Sequence, residues 1–182
     1  MKKLILSVLV LFGAHSQAAT LAQTLGSLPM VNAAFDWKVG DYADYNLSGG
    51  VINGTMHMFV REITDKGFWL VQDADLGFIG KQKIESLIDK NTGEVLEFLV
   101  NGQKQTPPDA KDSEVVDSHK DHIKVPAGEF DCLYAKLHSK KENNDTEIWI
   151  APSAVPVGVM LKTIAASQMG PITVELTGFK KM

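Results

Sequence analysis

From Trp37 to the C terminus, apolar and polar residues alternate in short runs. Ile172, Val174 and Leu176 interleave with Thr173, Glu175 and Thr177, a period of two that gives one buried face and one wet face. In 51–60, Ile52, Met56, Met58 and Val60 fall on one side, and Asn53, Thr55 and His57 on the other. In 130–137, Leu133, Ala135 and Leu137 oppose Cys132, Tyr134 and Lys136. Turn signals part these runs: Ser48-Gly49-Gly50, Asp65-Lys66-Gly67, Asn91-Thr92-Gly93, Asn101-Gly102, Pro126-Ala127-Gly128, the polar stretch 140–145 and Gly170-Pro171. The Asn-Gly pair favours the positive φ angles of a tight hairpin. Runs this closely spaced pair antiparallel, because parallel pairing needs a long crossover.

The expected fold is therefore mainly β: a single curved antiparallel sheet or incompletely closed barrel of roughly nine to eleven strands. Phe68–Val71 and Val95–Val100 carry apolar groups at both parities, which predicts central strands covered on both sides. The stretch 106–117, with Pro107-Pro108 and several acids, reads as an exposed loop. One helical period stands apart: Leu21, Leu25 and Leu28 are spaced i, i+4, i+7, with Thr20 as a cap and Pro29 as a limit. This short N-terminal helix is expected to cover one face of the sheet.

The first eighteen residues have a different character. Lys2 and Lys3, then the apolar run Leu4–Phe12, then small residues up to Ala18 and Ala19 form a secretory signal peptide, with cleavage after Ala18 or Ala19. The run is shorter than the ~20 apolar residues of a bilayer-spanning helix, and no membrane span is expected. Residues 19–182 then make one β-rich domain of ordinary size. The short Lys-Lys-led signal looks bacterial and points to the periplasm, with secretion as the alternative. Net charge is −4, and two units more negative once Lys2 and Lys3 are gone. An acidic chain without a basic patch does not suit nucleic acid. Cys132 is the only cysteine, so no internal disulfide forms. Its place in a predicted strand fits a small buried side chain.

Candidate chemistry is sparse. His119 and His122 with Asp117 suggest a metal site only if the segment is helical, because positions i and i+3 of a strand face opposite ways. No serine-nucleophile elbow, zincin motif or phosphate-cradling loop is present, and Gly77-Phe78-Ile79-Gly80 is too short to be one. No catalytic residue, metal ligand or cofactor is assigned, and a hydrolase or isomerase is a minor option. The better candidate is an apolar wall made by Met56, Met58, Trp69, Phe98, Trp149 and Met160, since methionine and aromatic side chains suit greasy ligands. The same residues also make an ordinary core. Parity prevents all six from facing one interior: Trp149 shares a face with Glu147, which suits a rim or contact patch.

Trp37-Lys38-Val39-Gly40-Asp41-Tyr42, Val125-Pro126-Ala127-Gly128-Glu129-Phe130, Trp149 and Val155-Pro156-Val157-Gly158 occur in this order. The order resembles uncharacterised bacterial exported proteins with a VPAGxF…W…VPxG pattern. These are similar in build to the periplasmic lipoprotein carriers of the Lol system. That resemblance implies a curved, unclosed antiparallel barrel with helices at its mouth. Gly128 and Gly158 would serve backbone needs, and Pro126 and Pro156 would form turns. Two function classes follow. One is a carrier for an apolar small molecule, lipid or lipopeptide, without chemistry. The alternative is an envelope module with a solid core that docks a protein partner, with the acidic stretch 109–117 as a candidate docking surface.

Overall fold

The structure, a computed structural model, describes residues 36–106, 113–140, 143–157, 159–167 and 170–182. The signal segment, the 20–28 helix and Gly158 lie outside the described residues.

Alternation becomes sheet throughout. Eleven strands run in chain order: β1 (Tyr42–Gly49), β2 (Ile52–Ile63), β3 (Gly67–Asp75), β4 (Lys81–Asp89), β5 (Val95–Val100), β6 (Gln103–Gln105), β7 (Ser113–Val125), β8 (Gly128–Ser139), β9 (Asn144–Ile150), β10 (Met160–Ala165) and β11 (Ile172–Lys180). All belong to one antiparallel sheet in the order β6-β5-β4-β3-β2-β1-β11-β10-β9-β8-β7. Two up-and-down halves, β1–β6 and β7–β11, are thus sewn together by the pairing of β1 with β11. The edge strands β6 and β7 do not pair with each other, so the sheet is not closed.

The inner face carries the core. Ala43, Tyr45 and Leu47 of β1 pack with Met56, Met58 and Val60 of β2, Phe68 and Leu70 of β3, and Val174 and Leu176 of β11. Complete burial of each large aliphatic side chain contributes about 1.5–3 kcal/mol. Tyr45 is buried among them, its hydroxyl donating to the Met160 carbonyl at 3.2 Å. Burial pushes its phenol pKa far up. The segment Ala151–Val157, legible in the sequence only as a turn phrase, drives Val155 and Val157 into this core.

The β7–β8 hairpin outruns its neighbour. Pairing of β8 with β9 ends at Leu133 and Ile150, and residues 128–132 continue beyond it. There the Ala127 N–H donates to the Leu176 carbonyl at 3.1 Å, and Phe130 meets Phe179 at 6.2 Å between ring centroids. Ile123, Val125 and Phe130 join the main core at this tip. Ala135 and Leu137, of opposite parity, pack with Ile148 and Ile150 in a separate cluster. One hairpin therefore buries one face at its base and the other at its tip.

Asn101 and Gly102 form the expected two-residue turn, with φ of 51° and 77°. Phe68, Leu70 and Val71 are buried on both faces as expected. Two expectations need correction. Val95–Val100 is the last strand but one, not a central strand, and Leu96 is 42% exposed. Residues 113–117 are not loop but the start of β7. They pair with β8 although every described side chain from Glu114 to Lys120 is exposed, so no hydrophobic alternation marked them. A bulge between Val115 and Asp117 further breaks the period.

Candidate functional site

The positions facing away from the core form the candidate surface. Register aligns them in a transverse row. On the β7 side it runs His119, Tyr134, Trp149, Lys162 and Glu175, each directly opposite the next. It continues through Asn46, Thr55, Asp75 and Lys81 on β1 to β4. Cross-strand neighbours on one face are about 4.5–5.5 Å apart, so such rows act as contact ladders.

The β7–β10 part is aromatic at its centre. His119 lies 4.6 Å from Tyr134, and Tyr134 meets Trp149 edge-on at 5.1 Å between centroids. The Lys162 ammonium stands 5.9 Å from the Trp149 ring and pairs with Glu175 at 2.8 Å. The Trp149 indole N–H donates to Asp121 at 2.8 Å. That bond, followed by one from the His122 backbone N–H, holds the Asp121 pKa below its ordinary value. Lys136, Asp145 and His138 form a second charged group beside it. Bonding to Asp145 raises Lys136, and bonding to Lys136 and His138 lowers Asp145.

Every histidine among the described residues lies against an aspartate. His57–Asp44, His122–Asp131 and His138–Asp145 are direct cross-strand partners at 2.6, 2.7 and 2.8 Å. His119 reaches Asp117 at 3.5 Å along β7. His119 and His122 face opposite ways, and no group of three metal-ligating side chains occurs among the described residues.

A groove of about 570 Å³ opens on the β1–β4 part of the same surface. Asp44, His57, Asp73 and Lys83 stand in one row across it, with Asn46, Thr55, Asp75 and Lys81 in the next. Tyr45, Met56, Ala74 and Gln82 also border it, but they are buried inner-face residues and contribute little beyond backbone.

The six residues proposed as an apolar wall are spread over both faces. Met56 and Met58 are buried side by side in strand parity in the main core, and Met160 packs at its margin. Phe98 belongs to a separate inner cluster with Ile84 and Val100. Trp69 lies on the outer face, its ring 4.9 Å under the Arg61 guanidinium, which is paired with Glu85. Trp149 has outer-face parity, shared with Glu147, but is partly buried and packs at the margin of the main core. Cys132 is half-buried, its Sγ 3.5 Å from the Asp121 carbonyl, and burial raises its pKa. Sequence reasoning missed the transverse row. Its signal is register, which depends on turn lengths and bulges summed across many strands.

No family model matches the chain. No curated protein matches it either. Among solved structures it is similar to a Bacteroides fragilis protein described as exported and YmcC-like in fold, at 13% identity and TM-score 0.43, covering 81% of this chain and 99% of that one. It is also similar to MucB, at 9% identity and TM-score 0.46, covering 90% of this chain. The match spans 58% of MucB, which has also been solved in complex with MucA. A hypothetical protein of Chlamydia trachomatis is similar at 14% identity and TM-score 0.47, covering 79% of this chain and 88% of that one. No residue role is transferred at these identities. No helix among the described residues is long and apolar enough to cross a membrane.

Proposed function

We propose that this chain is a non-catalytic binding module of the bacterial cell envelope that docks another envelope protein through the outer face of β7–β9. The Tyr134–Trp149 pair carries the reading. Protein interfaces anchor on aromatic side chains at their centre and ring them with polar and charged groups. Tyr134 and Trp149 are only partly buried, at positions where outer-face neighbours are charged: Lys136 and Glu147 on one side, Lys162 on another. The export signal at 1–18 supports the envelope, with the periplasm preferred. The test is photo-cross-linking in cells from a probe at Glu147. The expected result is one captured protein, whose yield falls about tenfold in Tyr134→Ala and Trp149→Ala, as loss of a hot spot predicts. Undiminished capture by both variants, with melting temperatures showing them folded, refutes the reading.

A different observation favours a second reading, a carrier for an apolar small molecule, lipid or lipopeptide on the inner face. Ile84, Phe98 and Val100 form a buried cluster apart from the main core. Gln82, two residues from Ile84 on the same face of β4, has its Oε1 buried without a hydrogen-bond partner. A buried orphan acceptor costs about 1–3 kcal/mol, which a ligand bearing an N–H or O–H would relieve. Native mass spectrometry of protein purified from the periplasm tests this. A chain that emerges ligand-free, and binds no fatty acid or lipopeptide on titration, counts against a carrier.

A further inference from the structure

We propose that the groove on β1–β4 is a saccharide-binding site, distinct from the aromatic docking patch on β7–β9. Its volume, about 570 Å³, is that of a small-molecule site. Its lining mixes both signs: the carboxylates of Asp44, Asp73 and Asp75 stand among the ammonium groups of Lys81 and Lys83, with His57 bonded to Asp44. A polyanion would meet three carboxylates, and a polycation two ammonium groups. A neutral polyhydroxylated ligand meets acceptors and donors in alternation, which its hydroxyl groups, each donor and acceptor, can satisfy.

Two features keep the groove available. Asp73 and Lys83 are directly opposite in register, yet form no ion pair. Lys83 leans to Glu85 at 4.0 Å instead, and Asp73 makes no side-chain hydrogen bond or ion pair among the described residues. A carboxylate left open beside a preorganised Asp44–His57 pair is suited to accept from vicinal hydroxyls. On the β11 side, Gly178 lies opposite Asp44. The register break beside it leaves Thr177 as the extra residue of a bulge, and Thr177 lines the groove. Bulges re-aim side chains in this way near binding sites.

An exposed aromatic ring lies on the short connection between two lining residues, Asp75 and Lys81. Phe78 is 79% exposed on the tight turn Gly77–Ile79, which joins Asp75 to Lys81. That turn is pinned by Gly77 N–H to Asp75 Oδ1 at 3.1 Å and by Leu76 N–H to the Gly80 carbonyl at 2.9 Å. Solvent-exposed phenylalanine on a fixed turn offers a plate for the C–H face of a pyranose ring, while the acids and amides that line the groove take the hydroxyls.

The experiment is titration of the processed chain with chitotetraose and with cellotetraose at millimolar concentration, followed by amide chemical shifts. The expected result is saturable shifts at Asp73, Lys83 and the 76–80 turn with at least one sugar. Asp73→Ala and Phe78→Ala should each weaken binding about tenfold, the loss of one good polar or stacking contact. Both residues are exposed, so melting temperatures should stay near that of the parent. Trp149→Ala should leave sugar binding unchanged, which separates this site from the docking patch. No shifts with either sugar overturn the proposal. So do shifts that persist in the Asp73→Ala, Phe78→Ala double variant, and so does saturable binding of spermidine or inorganic phosphate in place of sugar.

Discussion

The indole N–H of Trp149 donates to the Asp121 carboxylate at 2.8 Å, although the two residues sit on β9 and β7 with β8 between them. This bond spans β8 and ties β7 to β9. It is also the largest reason that Asp121 stays ionised below its ordinary pKa of 3.8.

Trp149→Phe should therefore act in a pH-dependent way. A depressed carboxylate pKa gives stability that is present above the unfolded value and lost as pH falls through the folded one. Urea melts should show a constant packing loss plus a component that is complete at neutral pH and fades below pH 3.8. Carbon-13 titration should show Asp121 moving up toward 3.8 in the variant. An unmoved Asp121 would mean the indole bond is not what holds it down.

Asp41 joins the start of the described chain to its end. Its buried carboxylate accepts from Lys38 N–H at 2.8 Å and from Met182 N–H at 2.7 Å, 141 residues away. Lys38 Nζ completes the clasp at the Met182 carbonyl, 2.9 Å. Asp41→Ala should cost about 2–4 kcal/mol, from two charge-assisted bonds lost and two donors orphaned. Deleting Met182 should cost less, and the combined loss should fall short of the sum, since both changes cut the same bond. Strict additivity in denaturant melts would argue against a shared clasp.

These two anchors show what was legible in the sequence. Alternation in 51–60, 133–137 and 172–177 located inner and outer faces, because parity is a property of each strand alone; at 130–132 the buried parity reverses, and Phe130 and Cys132 pack on the main core. Parity also put Trp149 with Glu147 rather than with Ile148 and Ile150, although its ring reaches the margin of the main core. The Trp149–Asp121 and Asp41–Met182 bonds were not legible, since each joins segments whose proximity comes from strand order. β7 was hidden for a local reason: its exposed first half has no apolar period to read, and its bulge shifts the parity. Val155 and Val157 were hidden in the opposite way. A Pro-Gly phrase reads as surface turn, yet Val155 and Val157 pack with Leu161 and Leu176 in the main core. The groove shows the same limit, because Asp44, His57, Asp73 and Lys83 are ordinary strand polars until register lines them up.

The His122–Asp131 pair predicts a stability change of the opposite pH sign to that of Asp121. Asp131, bonded at 2.7 Å, raises the His122 pKa above 6.5. A raised histidine contributes stability that is fully present below the unfolded pKa and lost as pH rises through the folded one. A double-mutant cycle of His122→Ala and Asp131→Ala should show favourable coupling at about pH 5.5 and none at about pH 9. Both side chains are exposed, so the coupling should also weaken in high salt. Equal coupling at both pH values would assign the contact to packing rather than charge.

Val155 tests whether the 151–157 segment is part of the core or a covering loop. Substitutions on a surface loop change stability by about 0.5 kcal/mol or less. Val155 is fully buried with Val157, Leu161 and Leu176 in one cluster, and the Ala151 carbonyl accepts from both Ala154 and Val155 N–H to hold the turn. Removing two methyl groups there forfeits their burial and leaves a cavity that the surrounding β strands cannot close, because the sheet ladder fixes their backbones. Val155→Ala should cost about 2 kcal/mol in urea denaturation. Val155→Asp should prevent folding, since a buried unpaired carboxylate costs several kcal/mol. A Val155→Asp protein that folds with the parent's midpoint would show that this segment lies on the sheet rather than within it.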